Sequence, residues 1–225
     1  MDFSPLWIVL FSVLIVCSLA IIFLAKFATK PVDSYRFSFK RVFPFEVINR
    51  DQNSLVYRIL LCVFVAASFA PIFIHLTGGG LIENAQGISI AICCVYGFAA
   101  ISFAFLHYFD ATHTVVHLVL VVLFLCLTLL GNALACIKGI NVYYTLAQHD
   151  QQAYSSLVGG IICGLVSLFG IILALNPSLK NWAILSKIEG GFERPKVFVL
   201  AFTEWASFFL LIIGEIANFL ILLIQ

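Results

Sequence analysis

Charged residues are scarce in this 225-residue chain, and their scarcity excludes a soluble protein. Only 10% of the residues are charged and 63% are hydrophobic, whereas soluble domains carry about 25% charged and about 45–50% apolar residues. A soluble fold could not bury so much apolar surface, so we expect the lipid bilayer to surround the protein. The net charge of +1 offers no basic surface for nucleic acid, and no nucleic-acid partner is predicted.

Several chemical signatures are also missing. None of the seven cysteines forms a CxxC pair, so the cysteines are predicted to be packing residues rather than disulfides or thiolate metal ligands. The sequence contains no Walker loop, no GxSxG motif and no dinucleotide-binding fingerprint. These absences favour a protein that is not an enzyme and that binds no organic cofactor.

Long apolar runs, by contrast, occupy most of the chain. A membrane-spanning helix needs about 20 apolar residues, and six runs meet that requirement. They cover residues 6–26, 57–76, 88–108, 114–137, 155–175 and 198–224. The predicted fold class is therefore all-α: a polytopic membrane protein with six transmembrane helices in one bundle, forming a single domain over residues 1–225.

The separation of the third and fourth runs follows from length. One helix over residues 88–137 would be about 75 Å long at about 1.5 Å per residue, which exceeds a bilayer of about 40–45 Å. The chain must therefore reverse within this stretch, and its only polar place is the sequence DATH at residues 110–113.

Two runs carry residues that modify helix geometry. In the fifth run, Ser156, Gly160 and Gly164 follow one another at four-residue intervals, a small-xxx-small pattern that predicts close packing against another helix. In the second run, Pro71 predicts a kink, which neighbouring helices can accommodate.

Basic residues predict the orientation of the bundle in the membrane. Seven of the 12 Lys and Arg residues lie within 26–58, four lie within 176–197, and the remaining one is Lys138. With six spans, the two basic segments lie on the same side of a cell or organelle membrane. We expect that side to be cytoplasmic, which places both termini on the non-cytoplasmic side.

The stretch HYFDATHTVVH, residues 107–117, supplies a candidate metal site. His113 and His117 are four residues apart and can share one helix face, with Asp110 as a third ligand. Such a set suits zinc or iron and would point to a membrane-embedded metal-dependent enzyme. In the alternative interpretation, Asp110 or Thr112 caps the helix that follows the turn. Both interpretations stay open.

Glu215 is predicted to lie near the middle of the bilayer. We expect Gln225 to lie near the outer boundary of the hydrocarbon core. Glu215 lies about 15 Å from Gln225 along a helix, which is half of the core thickness of about 30 Å. A charged residue at that depth costs about 2.5–3.5 kcal/mol on insertion scales, so we expect Glu215 to be protonated and to face protein. Glu204 and Asn218 fall on the same helix stripe.

Glu215, Glu204 and Asn218 are therefore the candidate residues for proton binding or transport. The alternative is a structural role, in which Glu215 joins two helices through a hydrogen bond to Asn132 or Ser167.

An aromatic and basic segment follows the first span. Aromatic residues alternate with polar ones, which is typical of an extended segment with one buried face. We predict that the segment contacts lipid headgroups or another membrane protein chain. Its candidate contact residues are Tyr35, Arg36, Phe37, Phe39, Lys40 and Arg41.

Three functions are compatible with these features. The favoured one is a non-enzymatic subunit or scaffold of a membrane complex that takes part in ion or small-solute transport through Glu215. The first alternative is a stand-alone small transporter or channel. The second is the metal-dependent enzyme that would use His113 and His117.

Overall fold

Helices form nearly all of the described part of this protein. The computed structural model describes residues 4–27, 37–50, 54–76, 83–109, 114–148, 154–181, 186–188, 191–193 and 197–222. The helices are α1 (Ser4–Phe27), α2 (Pro44–Arg50), α3 (Ser54–Phe69), α4 (Pro71–Leu76), α5 (Glu83–Leu106), α6 (Thr114–Ala147), α7 (Tyr154–Ala174) and α8 (Val199–Leu222).

Two short elements lie between α7 and α8. A 3-10 helix covers Pro177–Asn181, and the strands β1 (Ser186–Ile188) and β2 (Gly191–Glu193) pair antiparallel. This hairpin was not predicted from the sequence, because three-residue strands leave too short a pattern to recognise. It pairs backbone groups within the second basic segment.

Six of the helical segments are long and apolar enough to cross a membrane, which confirms the predicted helical class and number of such segments. They are Pro5–Phe27, Leu55–Phe73, Gly87–Leu106, Val115–Ala147, Tyr154–Ala174 and Val199–Ile221. Large apolar side chains cover their outer surfaces, for example Val16 and Phe169, which are 63% and 62% exposed. Such an exposed apolar surface suits a multi-pass membrane protein.

The second of these segments is broken at Pro71. Helix α3 ends at Phe69 and α4 begins at Pro71, which confirms the predicted interruption. Proline lacks a backbone N–H and its ring clashes with the preceding turn, so the regular helix is interrupted there. Ala70 N still donates to the Ala66 carbonyl oxygen at 2.9 Å, and the two short helices remain joined.

The chain reverses between α5 and α6, as predicted. Helix α5 ends at Leu106, α6 begins at Thr114, and the two helices pack side by side. The predicted capping residues Asp110 and Thr112 lie outside the described residues.

Helix α6 differs from the prediction at its far end. It ends at Ala147, whereas the sequence analysis ended the fourth span at residue 137 and left Lys138 in a loop. Neighbouring helices cover the Lys138 side chain, which is only 2% exposed. Lys138 is therefore a buried helix residue rather than a loop residue.

Helix α7 lies between α6 and α8, and its backbone approaches the backbones of both helices closely. A Cβ atom on Gly139 of α6 would lie 2.6 Å from the Ser156 carbonyl oxygen and 2.8 Å from the Gly160 Cα atom. A Cβ atom on Gly159 would lie 2.6 Å from the Ala217 carbonyl oxygen of α8. The close packing predicted from the small residues of α7 is therefore confirmed on the α6 side.

Residues 37–50 pack into one end of the bundle, which we call the α2 end. Phe198 N donates to the Lys40 carbonyl oxygen at 2.7 Å, and Trp205 Nε1 donates to the Val42 carbonyl oxygen at 2.8 Å. The side chains of Phe43 and Val47 are buried. This segment is thus part of the core at the start of α8.

Candidate functional site

Glu215 lies inside the bundle at a small cavity. Its side chain is 8% exposed, and the cavity between α1, α3, α5 and α8 has a volume of about 40 Å³. One water molecule needs about 10–15 Å³, so the cavity has room for water or a small ion. Its polar lining consists of Ser68, Cys93, Tyr96, Glu215 and Asn218.

Two oxygen atoms at this cavity lack a hydrogen-bond partner among the residues that the structure describes. They are Glu215 Oε2 and Asn218 Oδ1. A buried acceptor without a donor costs about 1–3 kcal/mol, so these two oxygens together favour a ligand that donates a hydrogen bond or carries positive charge.

Ser68 is the side-chain partner of the Glu215 carboxyl group. Ser68 Oγ also lies 3.1 Å from the Phe64 carbonyl oxygen, to which it donates. Because a hydroxyl group carries a single hydrogen, the Phe64 carbonyl oxygen and the Glu215 carboxyl group compete for it. The partner predicted from the sequence was Asn132 or Ser167, and neither prediction was right, because both side chains are engaged with other groups.

Asn132 and Ser167 have other partners. Tyr96 Oη donates to Asn132 Oδ1 at 3.2 Å, and Asn132 Nδ2 donates to the Thr128 carbonyl oxygen at 2.8 Å. Ser167 Oγ donates to the Leu129 carbonyl oxygen at 3.5 Å. Asn132 also lies directly against Gly214, so α6 covers the residue that precedes Glu215.

Lys138 is a buried cation near this region that the sequence analysis missed. Its Nζ atom has no hydrogen-bond partner within the described part of the chain, and it interacts electrostatically with His75 and Cys93. Cys93 also lies near Glu215. The apolar residues that continue after Lys138 were the available signal that the helix does not end there.

His75 lies at the same end of the bundle as Lys138. Its ring packs against Trp7 with the centroids 5.3 Å apart. Burial, and secondarily the charge of Lys138, lower the pKa of His75 from 6.5 to about 4. His75 is therefore a neutral residue at neutral pH.

The second buried acid, Glu204, pairs with His117 at the α2 end. His117 Nε2 lies 2.9 Å from Glu204 Oε1, and His117 Nδ1 donates to the Phe109 carbonyl oxygen at 2.8 Å. The side chains of His117 and Glu204 are 1% and 0% exposed. Because Nδ1 already carries a hydrogen, the short contact at Nε2 requires one further proton, which the two residues share.

The predicted metal site falls only partly within the structure. Asp110 and His113 lie outside the described residues, so the zinc or iron site stays a prediction. His117 uses both ring nitrogens in the contacts above, which leaves neither nitrogen free for a metal ion in this conformation. Within the described ranges, no group of three His, Cys, Asp or Glu residues could hold a metal ion.

A second buried histidine at the α2 end has a purely neutral environment. His107 Nδ1 donates to the Phe103 carbonyl oxygen at 2.9 Å, so His107 Nε2 accepts from Tyr57 Oη, also at 2.9 Å. Burial lowers the pKa of His107 from 6.5 to about 4. This histidine was predicted to end the third span, and its partner on α3 was not predicted.

The aromatic and basic segment has an intramolecular neighbour. Phe37 and Phe39 are half-buried, with their ring centroids 6.1 and 5.0 Å from that of Trp205. Lys40 is exposed and Arg41 is half-buried. Tyr35 and Arg36 lie outside the described residues, so contact of this segment with headgroups or another chain stays a prediction.

The two buried acids share one helix. Glu204 and Glu215 lie about 16 Å apart along α8, and each has one carboxyl oxygen without a partner among the described residues. The sequence predicted their shared face. Comparison with known proteins adds no functional assignment: no protein family, no curated protein and no solved structure matches the chain significantly.

Proposed function

We propose that this chain is a non-enzymatic component of a membrane assembly that moves a proton, or a small cation in its place, through the carboxyl group of Glu215. The observation that carries the proposal is the pair of oxygens, Glu215 Oε2 and Asn218 Oδ1, that have no partner among the described residues and lie at a partly open cavity between α1, α3, α5 and α8. Ionisable residues within membrane-spanning segments are characteristic of ion and proton pathways.

The unpartnered oxygen supports transport over a structural role. A carboxyl group that only joined helices would engage both oxygens in hydrogen bonds, because buried polar groups are nearly always paired. Glu215 engages Ser68 but leaves Oε2 at the cavity. A site that binds and releases an ion needs such an oxygen.

The size of the cavity supports a proton or a small cation as the transported species. Sites for organic ligands have volumes of about 300–1,000 Å³, whereas this cavity has about 40 Å³. The volume is therefore sufficient for water molecules or an inorganic cation and too small for an organic solute.

The short elements outside the long helices support a component of an assembly over a stand-alone carrier. In the part of the chain that the structure describes, these elements are α2, α4, the 3-10 helix and the β1–β2 hairpin. None is large enough to form a nucleotide-binding domain, so the energy for transport would come from an ion gradient or from a partner chain. Purification in mild detergent tests this point, and a stoichiometric partner chain is the expected result.

The experiment that tests transport is proton flux into liposomes that contain the protein, purified in mild detergent together with any partner chain it retains, and an internal pH-sensitive dye. We expect the wild-type protein to dissipate an imposed pH gradient and Glu215→Gln to reduce the rate at least about tenfold, because an amide cannot take up the proton. Glutamine preserves the size of the side chain and one acceptor oxygen.

The matched control is Glu193→Gln, which makes the same chemical change in the β1–β2 hairpin. It should retain the wild-type rate. Equal rates for wild type and Glu215→Gln would instead assign Glu215 a structural role.

A further inference from the structure

We infer that His117 and Glu204 form a second proton-exchange site at the α2 end, and that this pair exchanges a proton with Glu215 along the facing surfaces of α6 and α8. The inference rests on the proposed function of Glu215. It deepens that proposal by naming the proton as the transported ion and by giving its route within the bundle.

The hydrogen bonds of the pair provide one exchangeable proton. The Nδ1 hydrogen of His117 is committed to the Phe109 carbonyl oxygen, so the proton between Nε2 and Glu204 Oε1 is the mobile one. Glu204 Oε2 is buried and has no partner among the described residues. This second oxygen gives the carboxyl group a place from which a proton can pass onward.

The charged and titratable groups around Glu204 come from two neighbouring elements. His117 of α6 is its direct partner, and Glu46 of α2 interacts with it electrostatically. Glu46 is itself engaged, since its Oε2 accepts from Phe43 N at 2.9 Å. The rings of Phe43 and Phe45 pack edge-on against His117, so residues 37–50 cover the pair.

Polar side chains continue from this pair toward Glu215 on both helices. At about 100° per residue, the polar positions between Glu204 and Asn218 of α8 fall within about 80° of the helix circumference, and those between His117 and Lys138 of α6 fall within about 120°. The positions on α8 are Glu204, Ser207, Glu215 and Asn218, and those on α6 are His117, Thr128, Asn132 and Lys138.

The polar stripe of α6 contacts that of α8 at two heights in the bundle. His117 meets Glu204 at the α2 end, and Asn132 lies against Gly214 beside Glu215. Between the two levels, Ser207 Oγ and Thr128 Oγ1 are buried and lack partners in the described part of the chain. Each of these hydroxyl groups can donate to and accept from a water molecule.

Aromatic rings close this route in the present conformation. Phe103 and Phe208 stack with their centroids 4.1 Å apart, and Phe103 also packs against Phe124 at 5.3 Å. These rings lie between helices α5, α6 and α8. Proton transfer between the two acids therefore requires the rings to separate far enough for water to enter.

The transfer step conserves protons and charge. The pair releases its shared proton and changes from neutral to a charge of −1, while the Glu215 carboxylate gains an O–H bond and changes from −1 to neutral. Water molecules between them each accept one proton and donate another. Residues 37–50 then move aside at the α2 end, and the pair regains a proton from a hydronium ion, which becomes water.

The first test measures proton flux in the same liposomes with Glu204→Gln and His117→Gln. Each variant should lower the rate at least about tenfold, because each removes a proton-exchanging group, and each should change the pH dependence of the remaining flux. Tyr57→Phe is the control, since it removes a buried hydrogen bond at the same end without touching the pair. Its flux should match that of the wild type.

The second test is spectroscopic and does not depend on flux. The infrared spectrum of Glu215→Gln minus that of Glu204→Gln/Glu215→Gln should contain a carboxyl C=O band that appears and disappears with pH and shifts in D2O, because the other nine Asp and Glu residues are common to both variants. A merely structural ion pair would give no such titrating band. Its absence from the difference spectrum would overturn the inference, even if the Glu204 variants folded poorly.

The outcomes separate the two proposals. Wild-type flux in Glu204→Gln together with no flux in Glu215→Gln would overturn the route through the pair and leave the proposed function intact. Wild-type flux in Glu215→Gln, or no flux in the wild-type protein, would overturn both.

Discussion

At the scale of single residues, His107 shows how a buried histidine is held in one tautomer. Its Nδ1 atom donates to the backbone of its own helix and its Nε2 atom accepts from Tyr57 of α3. Both side chains are fully covered. The contact joins α3 to the end of α5 and depends on a neutral ring.

Tyr57→Phe tests the strength of this contact. Loss of the hydroxyl group leaves His107 Nε2 without this buried donor, so we expect the free energy of unfolding to fall by about 1–3 kcal/mol. Denaturant titration in detergent micelles measures it. Tyr144→Phe, at a position 63% exposed, should leave the stability unchanged, and equal losses in the two variants would contradict the assignment.

Acid should destabilise the protein through the same histidine. The pKa of His107 is 6.5 when unfolded and about 4 when folded, so the unfolded chain binds the proton more readily and stability falls as the pH drops from 6.5 toward 4. The full effect is on the order of 3 kcal/mol. Above pH 6.5 the contribution is constant, since the ring is neutral in both states.

His107→Gln isolates this contribution, because His75 titrates in the same range and is present in both proteins. Unfolding in detergent at pH 6.5 and at about pH 4 should show a smaller loss of stability for the variant. An identical loss in variant and wild type would assign the acid sensitivity to other groups.

At the scale of helices, the glycines of α6 and α7 set the distance between those two elements. Backbone atoms of α7 occupy the space where a Gly139 side chain would lie. Close approach lets dispersion contacts form along the helices, which is the main attraction between helices within lipid. An added side-chain volume should therefore lower the stability more at the α6–α7 interface than on the lipid-facing surfaces.

Gly139→Ala tests this packing. The added methyl group would meet the Ser156 carbonyl oxygen at 2.6 Å, so the helices must separate and we expect a loss of about 1–3 kcal/mol. Gly87→Ala is the matched control in α5, where nothing lies within 4 Å of the new Cβ atom. It should be neutral or stabilising by up to about 1 kcal/mol.

At the scale of the whole molecule, the distribution of basic residues predicts its orientation. Appending an epitope tag after residue 225, and inserting a second one at 189–190, tests this prediction in intact cells. We expect the C-terminal tag to be accessible from outside and the inserted tag to require permeabilisation, because basic segments remain in the cytoplasm. The reverse pattern would invert the orientation.

The sequence by itself determined the features that depend on local geometry. The length of each apolar run predicted the six long helices, the run over residues 88–137 predicted the reversal before α6, and the 100° step placed Glu204 and Glu215 on one face. These conclusions need only the spacing of residues along one segment. They required no knowledge of which segments are neighbours.

The tertiary structure alone decided which groups meet. Glu204 and His117 are 87 residues apart in the chain, and Glu215 faces Ser68 of α3. Lys138 is buried, although its position after an apolar run predicted a loop residue. In each case, the contacts of the side chain depend on which helix lies next to it. The apolar pattern does not encode that neighbour, because six helices with similar apolar surfaces can be arranged around one another in many ways.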